Sequence, residues 1–186
     1  AERALLGLLE NIDTNTYNVD LFLLRHEGEL MKFIPNNINL LPEIPQYTVL
    51  ARPMIQTLKE GHIFLTAARL YGKKKAERYV KKEKLKENDI AIEYSHKCTK
   101  RFMPLIQKNI EYDLAISFLT PHYFVTEKVK AKRKIAWIHT DYSMVKVDRK
   151  SQLQMWSAYD YIASISENVT ESFLSVFPEL KEKIIL

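Results

Sequence analysis

Lys134-Ile-Ala-Trp-Ile-His-Thr-Asp-Tyr142, taken with Tyr159-Asp-Tyr-Ile-Ala-Ser-Ile-Ser-Glu-Asn168, decides the fold class of this 186-residue chain. Each stretch is a short apolar run that breaks off abruptly into polar residues. A strand buried in a parallel sheet has this form, and the residues just past its carboxyl end are the ones it delivers to a cleft. Outward from these two runs the pattern repeats. Strands are predicted over Tyr112 to Phe118, Lys134 to Ile138, Tyr161 to Ile165 and Lys183 to Leu186. Helices are predicted between them, over Tyr123 to Val129, Ser151 to Tyr159 and Glu167 to Phe177. Strands alternating with helices at this spacing imply an α/β domain with a mainly parallel sheet and right-handed crossovers.

The first half is less regular. Leu5, Leu8, Leu9 and Ile12 fall at helical spacing, and the turn-forming residues from Asp13 to Asn18 end that helix. Tyr17 to Leu24 then reads as a buried strand and Glu29 to Ile34 as a short helix. Ile38 to Leu41 reads as a short strand ahead of a proline-bearing loop from Pro42 to Pro53. Met54 to Tyr71 is predicted as a helix with Gly61 as its weak point, and the basic segment to Lys86 as a second helix. Ile90 to Ile106 is a further helix, interrupted by Pro104. The middle of the chain is therefore a helical, basic insertion. Ala1-Glu-Arg-Ala-Leu-Leu6 enters helical periodicity at once, without the strand and phosphate-facing turn that normally open such a domain. Leu186 ends within an apolar run, so the chain is expected to be a piece of a longer one.

With 46% hydrophobic and 27% charged residues, the chain suits one domain with its own core and argues against disorder. Cys98 is the only cysteine, which rules out an intrachain disulfide or a cysteine-rich zinc site and points to a reducing, cytoplasmic setting. No apolar run approaches the roughly 18 residues that span a bilayer, so any membrane would be touched at its surface. Lys73, Lys74, Lys75, Arg78, Lys81, Lys82, Lys84 and Lys86 stand against Glu77 and Glu83, a local +6 within a net charge of +5. Such a run suits an anionic membrane surface or a phosphate-bearing partner; its bland alternative is a solvated helix face. Nucleic acid is not expected, because Tyr79 is the one aromatic among these cations. His26, His62 and His96 lack the spaced partners of a metal site, and no metal is expected.

His139 is the leading chemical candidate. It lies just past a predicted strand end, where its imidazole can hydrogen-bond a substrate or stabilise developing charge. Asp141, two residues on, has three roles open to it: orienting His139, binding acceptor hydroxyls, or capping the next turn. Thr140 and Tyr142 are further acceptor contacts. Ser164 and Glu167 have the spacing of a capping box, with Ser166 between them, and the amides of that helix start favour anionic groups. Ser117, Thr120 and His122 follow another strand end and could line the same side.

These residues carry a family resemblance. Ala1-Glu-Arg-Ala-Leu-Leu resembles the continuation of a Gly-Gly-Ala-Glu-Arg helix start, Lys134 to Tyr142 a strand ending in an Ile-His-Thr-Asp-Tyr turn, and Ser164-Ile-Ser-Glu-Asn-Val169 the Val-Ser-Glu turn of family-4 glycosyltransferases. Order and spacing agree over nearly the whole chain, most closely with bacterial members that build capsular, exopolysaccharide or cell-wall glycans. The resemblance implies one half of a GT-B enzyme with a Rossmann-like three-layer α/β/α fold. Residues 1–186 would be its single amino-terminal, acceptor-side domain, lacking the first strand and Gly-rich turn. The donor-binding carboxyl-terminal domain would lie outside the chain, leaving this piece inactive alone. The implied reaction moves a hexose or related sugar, with retention, from a nucleotide sugar to a glycan or lipid-linked acceptor. The nucleotide sugar is a substrate and no cofactor is expected. His139 would be catalytic, with Thr140, Asp141, Tyr142, Ser117, Thr120, Ser166 and Glu167 binding substrate. The setting would be cytoplasmic, peripheral at the inner face of the plasma membrane. Two competing functions are a sugar-nucleotide epimerase of the same architecture and a non-catalytic binding module of a polysaccharide-synthesis complex.

Overall fold

The computed structural model describes residues 2–48, 52–85, 90–120 and 122–186; Ala1, Lys86 and positions 49–51 of the proline-bearing loop fall outside them. Helix α1 (Glu2–Asn11) buries Leu9 and packs Leu5 and Ile12 against Leu21 and Ile38. Leu21 belongs to strand β1 (Asp20–Leu21), which pairs in parallel with β2 (Asn39–Leu40). The strand expected over Tyr17 to Leu24 is thus reduced to two ladder residues. The ladder runs from Asn39 N–H on Val19 to Leu41 N–H on Leu21.

A short helix, α2 (Pro45–Thr48), seats the fully buried Tyr47, whose hydroxyl donates to the Pro104 carbonyl at 2.7 Å. Met54 to Tyr71 is not one helix. Gly61, at φ 85°, takes the left-handed conformation that ends α3 (Met54–Lys59). The chain then re-enters α4 (Ile63–Lys82), which runs on unbroken into the basic segment and ends at Lys82, ahead of Lys84 at φ 53°. The separate second helix expected for that segment is therefore the carboxyl-terminal half of α4. Helix α5 (Ile90–Thr99) follows and tightens into a 3₁₀ turn (Lys100–Phe102) short of Pro104.

Helices α4 and α5 meet at Gly72. A Cβ built there would lie 2.8 Å from the Tyr94 carbonyl oxygen and 3.0 Å from Ser95 Cα. Both are backbone atoms that cannot swing aside, so Gly72→Ala must push the helices apart. Overpacking of this kind costs about 1–3 kcal/mol. The better helix propensity of Ala returns at most about 1 kcal/mol. A net loss of up to about 3 kcal/mol is expected, read as a lower urea midpoint at unchanged slope; an unaltered or higher midpoint would mean that the pair separates freely.

The second half forms a four-stranded parallel sheet, in spatial order β3 (Tyr112–Ser117), β4 (Ala131–Ile138), β5 (Tyr161–Ser164), β6 (Ile184–Ile185). Its crossovers are α6 (Tyr123–Lys128), α7 (Arg149–Ser157) and α8 (Glu167–Val176). Helix α7 begins at Arg149, two residues before its predicted start, because Asp148 caps it by accepting the Ser151 N–H at 3.2 Å. Strands laid down side by side in chain order with crossovers of one hand put every crossover on the same face. Ala136, Ile138 and Ile162 accordingly form one core with Met155, Trp156, Tyr159, Phe173 and Phe177. On the other face Leu114, Ile116, Tyr161, Ile165 and Ile185 keep between 37% and 51% of their surface exposed. The chain is a mixed α/β protein with a parallel sheet, and among the described residues this face stays half-exposed where the sequence predicts a second helical layer.

The insertion is tied to the sheet domain through buried polar groups. Glu93 Oε2 on α5 accepts from Gln152 Nε2 on α7 at 3.1 Å, and the Tyr94 hydroxyl donates to Asp148 at 2.9 Å. The small β1/β2 pair is joined to the main sheet by the Tyr112 hydroxyl, which donates to Asp20 Oδ2 at 2.5 Å.

Candidate functional site

Side chains alternate faces along a strand, so the residues gathered at the carboxyl edge of the sheet are divided between its two sides. In the parallel register Ser117 aligns with Ala136, and Ile138 with Ser164, all on the helix-covered face. Ser117 is buried there, its Oγ paired with His122 Nδ1 at 2.8 Å. His122 is itself enclosed, its ring 4.6 Å from that of Trp156, and burial depresses its pKa to about 3. Tyr142, expected as an acceptor contact, is a core residue. Its hydroxyl accepts from Trp156 Nε1 at 3.1 Å and its ring packs edge-on against Phe173 and Phe177. Ser117 and Tyr142 are thus turned away from the open side of the sheet.

His139 is turned the other way. With Trp137, two residues before it, and Phe118, just past β3, it forms an aromatic group on the open face. The imidazole lies 4.6 Å from the Phe118 ring and parallel to the Trp137 indole, at 6.2 Å and 10° between planes. Phe118 and Trp137 are 4.9 Å apart. Burial lowers the His139 pKa, so the ring is neutral near pH 7. His139 Nε2 and Trp137 Nε1 are both shielded from solvent, and neither has a hydrogen-bond partner among the described residues. An orphaned buried polar atom costs about 1–3 kcal/mol. Indole N–H can only donate, whereas a neutral imidazole offers one donor and one acceptor nitrogen.

The loop after β4 carries Thr140, half-buried, and Asp141, exposed. Asp141 Oδ1 accepts from the Ser143 N–H at 2.9 Å and the Ser143 hydroxyl at 2.7 Å, which holds the carboxyl below its usual range. Of its three sequence-level roles, the geometry realises the turn cap. Thr120 is exposed on the bend after β3. The capping box expected from Ser164 to Glu167 is not formed. Ser164 is still a ladder residue of β5, with its Oγ on the Ser166 carbonyl at 3.2 Å. Ser166, in extended conformation, caps α8 instead by accepting the Val169 N–H at 3.3 Å. Glu167 is the exposed first residue of that helix.

Phe118 and Trp137 were not anticipated as site residues, although a signal existed. Two-residue periodicity through the run to His139 puts Trp137 on the same face. The partner strand's Phe118 follows only from register. Among the described residues no group of three or more His, Cys, Asp or Glu is placed to hold a metal ion. Comparison of the chain with protein-family models, with curated proteins and with solved structures gives no significant match.

Proposed function

We propose that this chain is the acceptor-side part of a retaining GT-B glycosyltransferase, which moves a sugar from a nucleotide donor to a glycan or lipid-linked acceptor. One observation carries the reading: His139 Nε2 and Trp137 Nε1, both buried and unpartnered, stand on one face at the carboxyl end of β4. That is where an open parallel sheet places its ligands. The His-Thr-Asp-Tyr resemblance supports the same position. In this reading the faces of Trp137 and Phe118 contact the apolar side of a sugar ring. Trp137 Nε1 donates to a hydroxyl of that sugar, and neutral His139 hydrogen-bonds another close to the reacting carbon. As phosphate leaves and the acceptor oxygen arrives on the same face, an imidazole held in place stabilises the developing positive charge without reorganising. Asp141 shapes the loop presenting His139 and Thr140, while Ser166 and Glu167 set the start of α8 beside it.

The test is transfer by the complete gene product from a panel of nucleotide sugars onto membrane lipid extract, with His139→Ala alongside. Loss of a positioned catalytic group is expected to lower kcat by about 10²-fold or more, with far-UV circular dichroism unchanged. Release of free sugar without an acceptor would favour the epimerase, and a folded protein that uses no donor would favour the binding module.

A further inference from the structure

Helix α4 divides into an inward and an outward side. Leu65, Ala68, Gly72 and Ala76 are buried against the rest of the fold. At 100° per residue the opposite stripe runs through Ile63, Leu70, Lys74 and Lys81, flanked by Phe64, Tyr71, Arg78 and Lys82. Its first two turns are apolar and largely bare, with Ile63 61%, Phe64 74%, Leu70 47% and Tyr71 55% exposed. Helix α3 adds Ile55 at 73% and Leu58 at 51%. The second half of the same stripe is exposed and carries Lys74, Arg78 and Lys81 with the single acidic residue Glu77 among them. Among the described residues Lys82 pairs with Glu83 at 3.6 Å, while Lys74, Lys75, Arg78 and Lys81 have no carboxylate within ion-pair distance. The surface continues onto the turn after α5, where Phe102 stacks on Phe64 at 6.1 Å and Arg101 lies 4.6 Å over the Phe102 ring.

We propose that α3 and the outward face of α4 form a docking surface for an anionic phospholipid bilayer. Bare apolar side chains in line with unpaired cations match a medium that is apolar inside and negatively charged at its surface. Phe64, Leu70 and the α3 side chains enter the acyl boundary. The long stems of Lys74, Arg78 and Lys81 lie along it and keep their charges among the headgroups. Nucleic acid fits less well, since it would leave the apolar half unburied, and Tyr79 is half-buried against Tyr94 at 5.9 Å rather than offered for stacking. The proposal does not depend on the transferase reading.

The experiment is co-sedimentation of the protein with phosphatidylcholine vesicles, with and without phosphatidylglycerol. Binding is expected only with the anionic lipid, falling as salt is added, and unaffected by millimolar inorganic phosphate. Combined Lys74→Glu, Arg78→Glu and Lys81→Glu should weaken partitioning by about a hundredfold or more. Phe64→Ser with Leu70→Ser should weaken it while the charges remain. Both sets change only exposed side chains, so circular dichroism should match the parent. Equal binding to neutral vesicles, binding that survives either set, competition by inorganic phosphate, or retention of RNA in place of vesicles would each overturn the proposal.

Discussion

Trp156→Ala is expected to remove about 3–5 kcal/mol of stability, a large share of the roughly 5–15 kcal/mol that holds a domain of this kind together. The indole is 1% exposed and sits at the centre of the sheet-covering core. Phe173 packs edge-on to it at 5.1 Å, and the His122 ring lies 4.6 Å away. Truncation would leave a cavity whose walls belong to the sheet and three helices, so collapse around it is limited. It would also strand polar atoms, because Trp156 Nε1 donates to both Gln152 Oε1 and the Tyr142 hydroxyl, each at 3.1 Å. Trp156→Phe separates the two effects. It keeps most of the volume and loses the donor, for an expected cost of about 1–3 kcal/mol. Urea unfolding followed by far-UV circular dichroism, with Trp137 as the remaining fluorescent reporter, measures both. An Ala variant no less stable than the Phe variant would refute the packing argument.

Acid is expected to destabilise the protein well before its exposed carboxylates titrate. His122 is buried, and burial, followed by the charge of His139, depresses its pKa to about 3. In the unfolded chain it titrates near pH 6.5. Below that pH the unfolded state takes up a proton that the native state refuses. Stability is therefore complete above about pH 6.5 and falls by about 1.4 kcal/mol per pH unit toward the folded value near 3. His96, lowered to about 4 by burial and then by the Arg69 charge, adds to the loss in the same direction. Glu93 acts oppositely. Burial raises its pKa, so its contribution is lost as pH rises through that value. Urea midpoints measured from about pH 7.5 to about pH 4.5, in the protein and in His122→Gln, read the slope directly. The variant should lose stability less steeply by about 1.4 kcal/mol per unit, whatever its stability at neutral pH. Parallel slopes would show that His122 can take a proton without unfolding.

The same residue illustrates how unevenly the site is written in the sequence. His122 and Ser117 look like strand-end polar groups offered to a cleft, yet each satisfies the other inside the core. Tyr142 follows the motif that draws attention to His139, but an aromatic ring is more stable among Trp156, Phe173 and Phe177 than in water. Ser164 has the spacing of a cap, but its backbone is committed to the β5 ladder, so the role passes to Ser166. Local patterns name the residue types at such a turn. Which atom is left without a partner depends on what the rest of the chain brings to it.

From the sequence alone came the strands at Tyr112, Lys134 and Tyr161, the helices between them, the parallel pairing they imply, and the position of the basic run. These are local properties: period-two and period-3.6 hydrophobicity and charge are carried within a few turns of chain. Tertiary structure decided the rest. It joined the basic run to α4, reduced the first predicted strand to two residues, and laid all three crossovers on one face of the sheet. It also put Phe118, Trp137 and His139 together on the other face. Those outcomes depend on strand register and on burial shared between distant segments, and neither is a property of any single stretch.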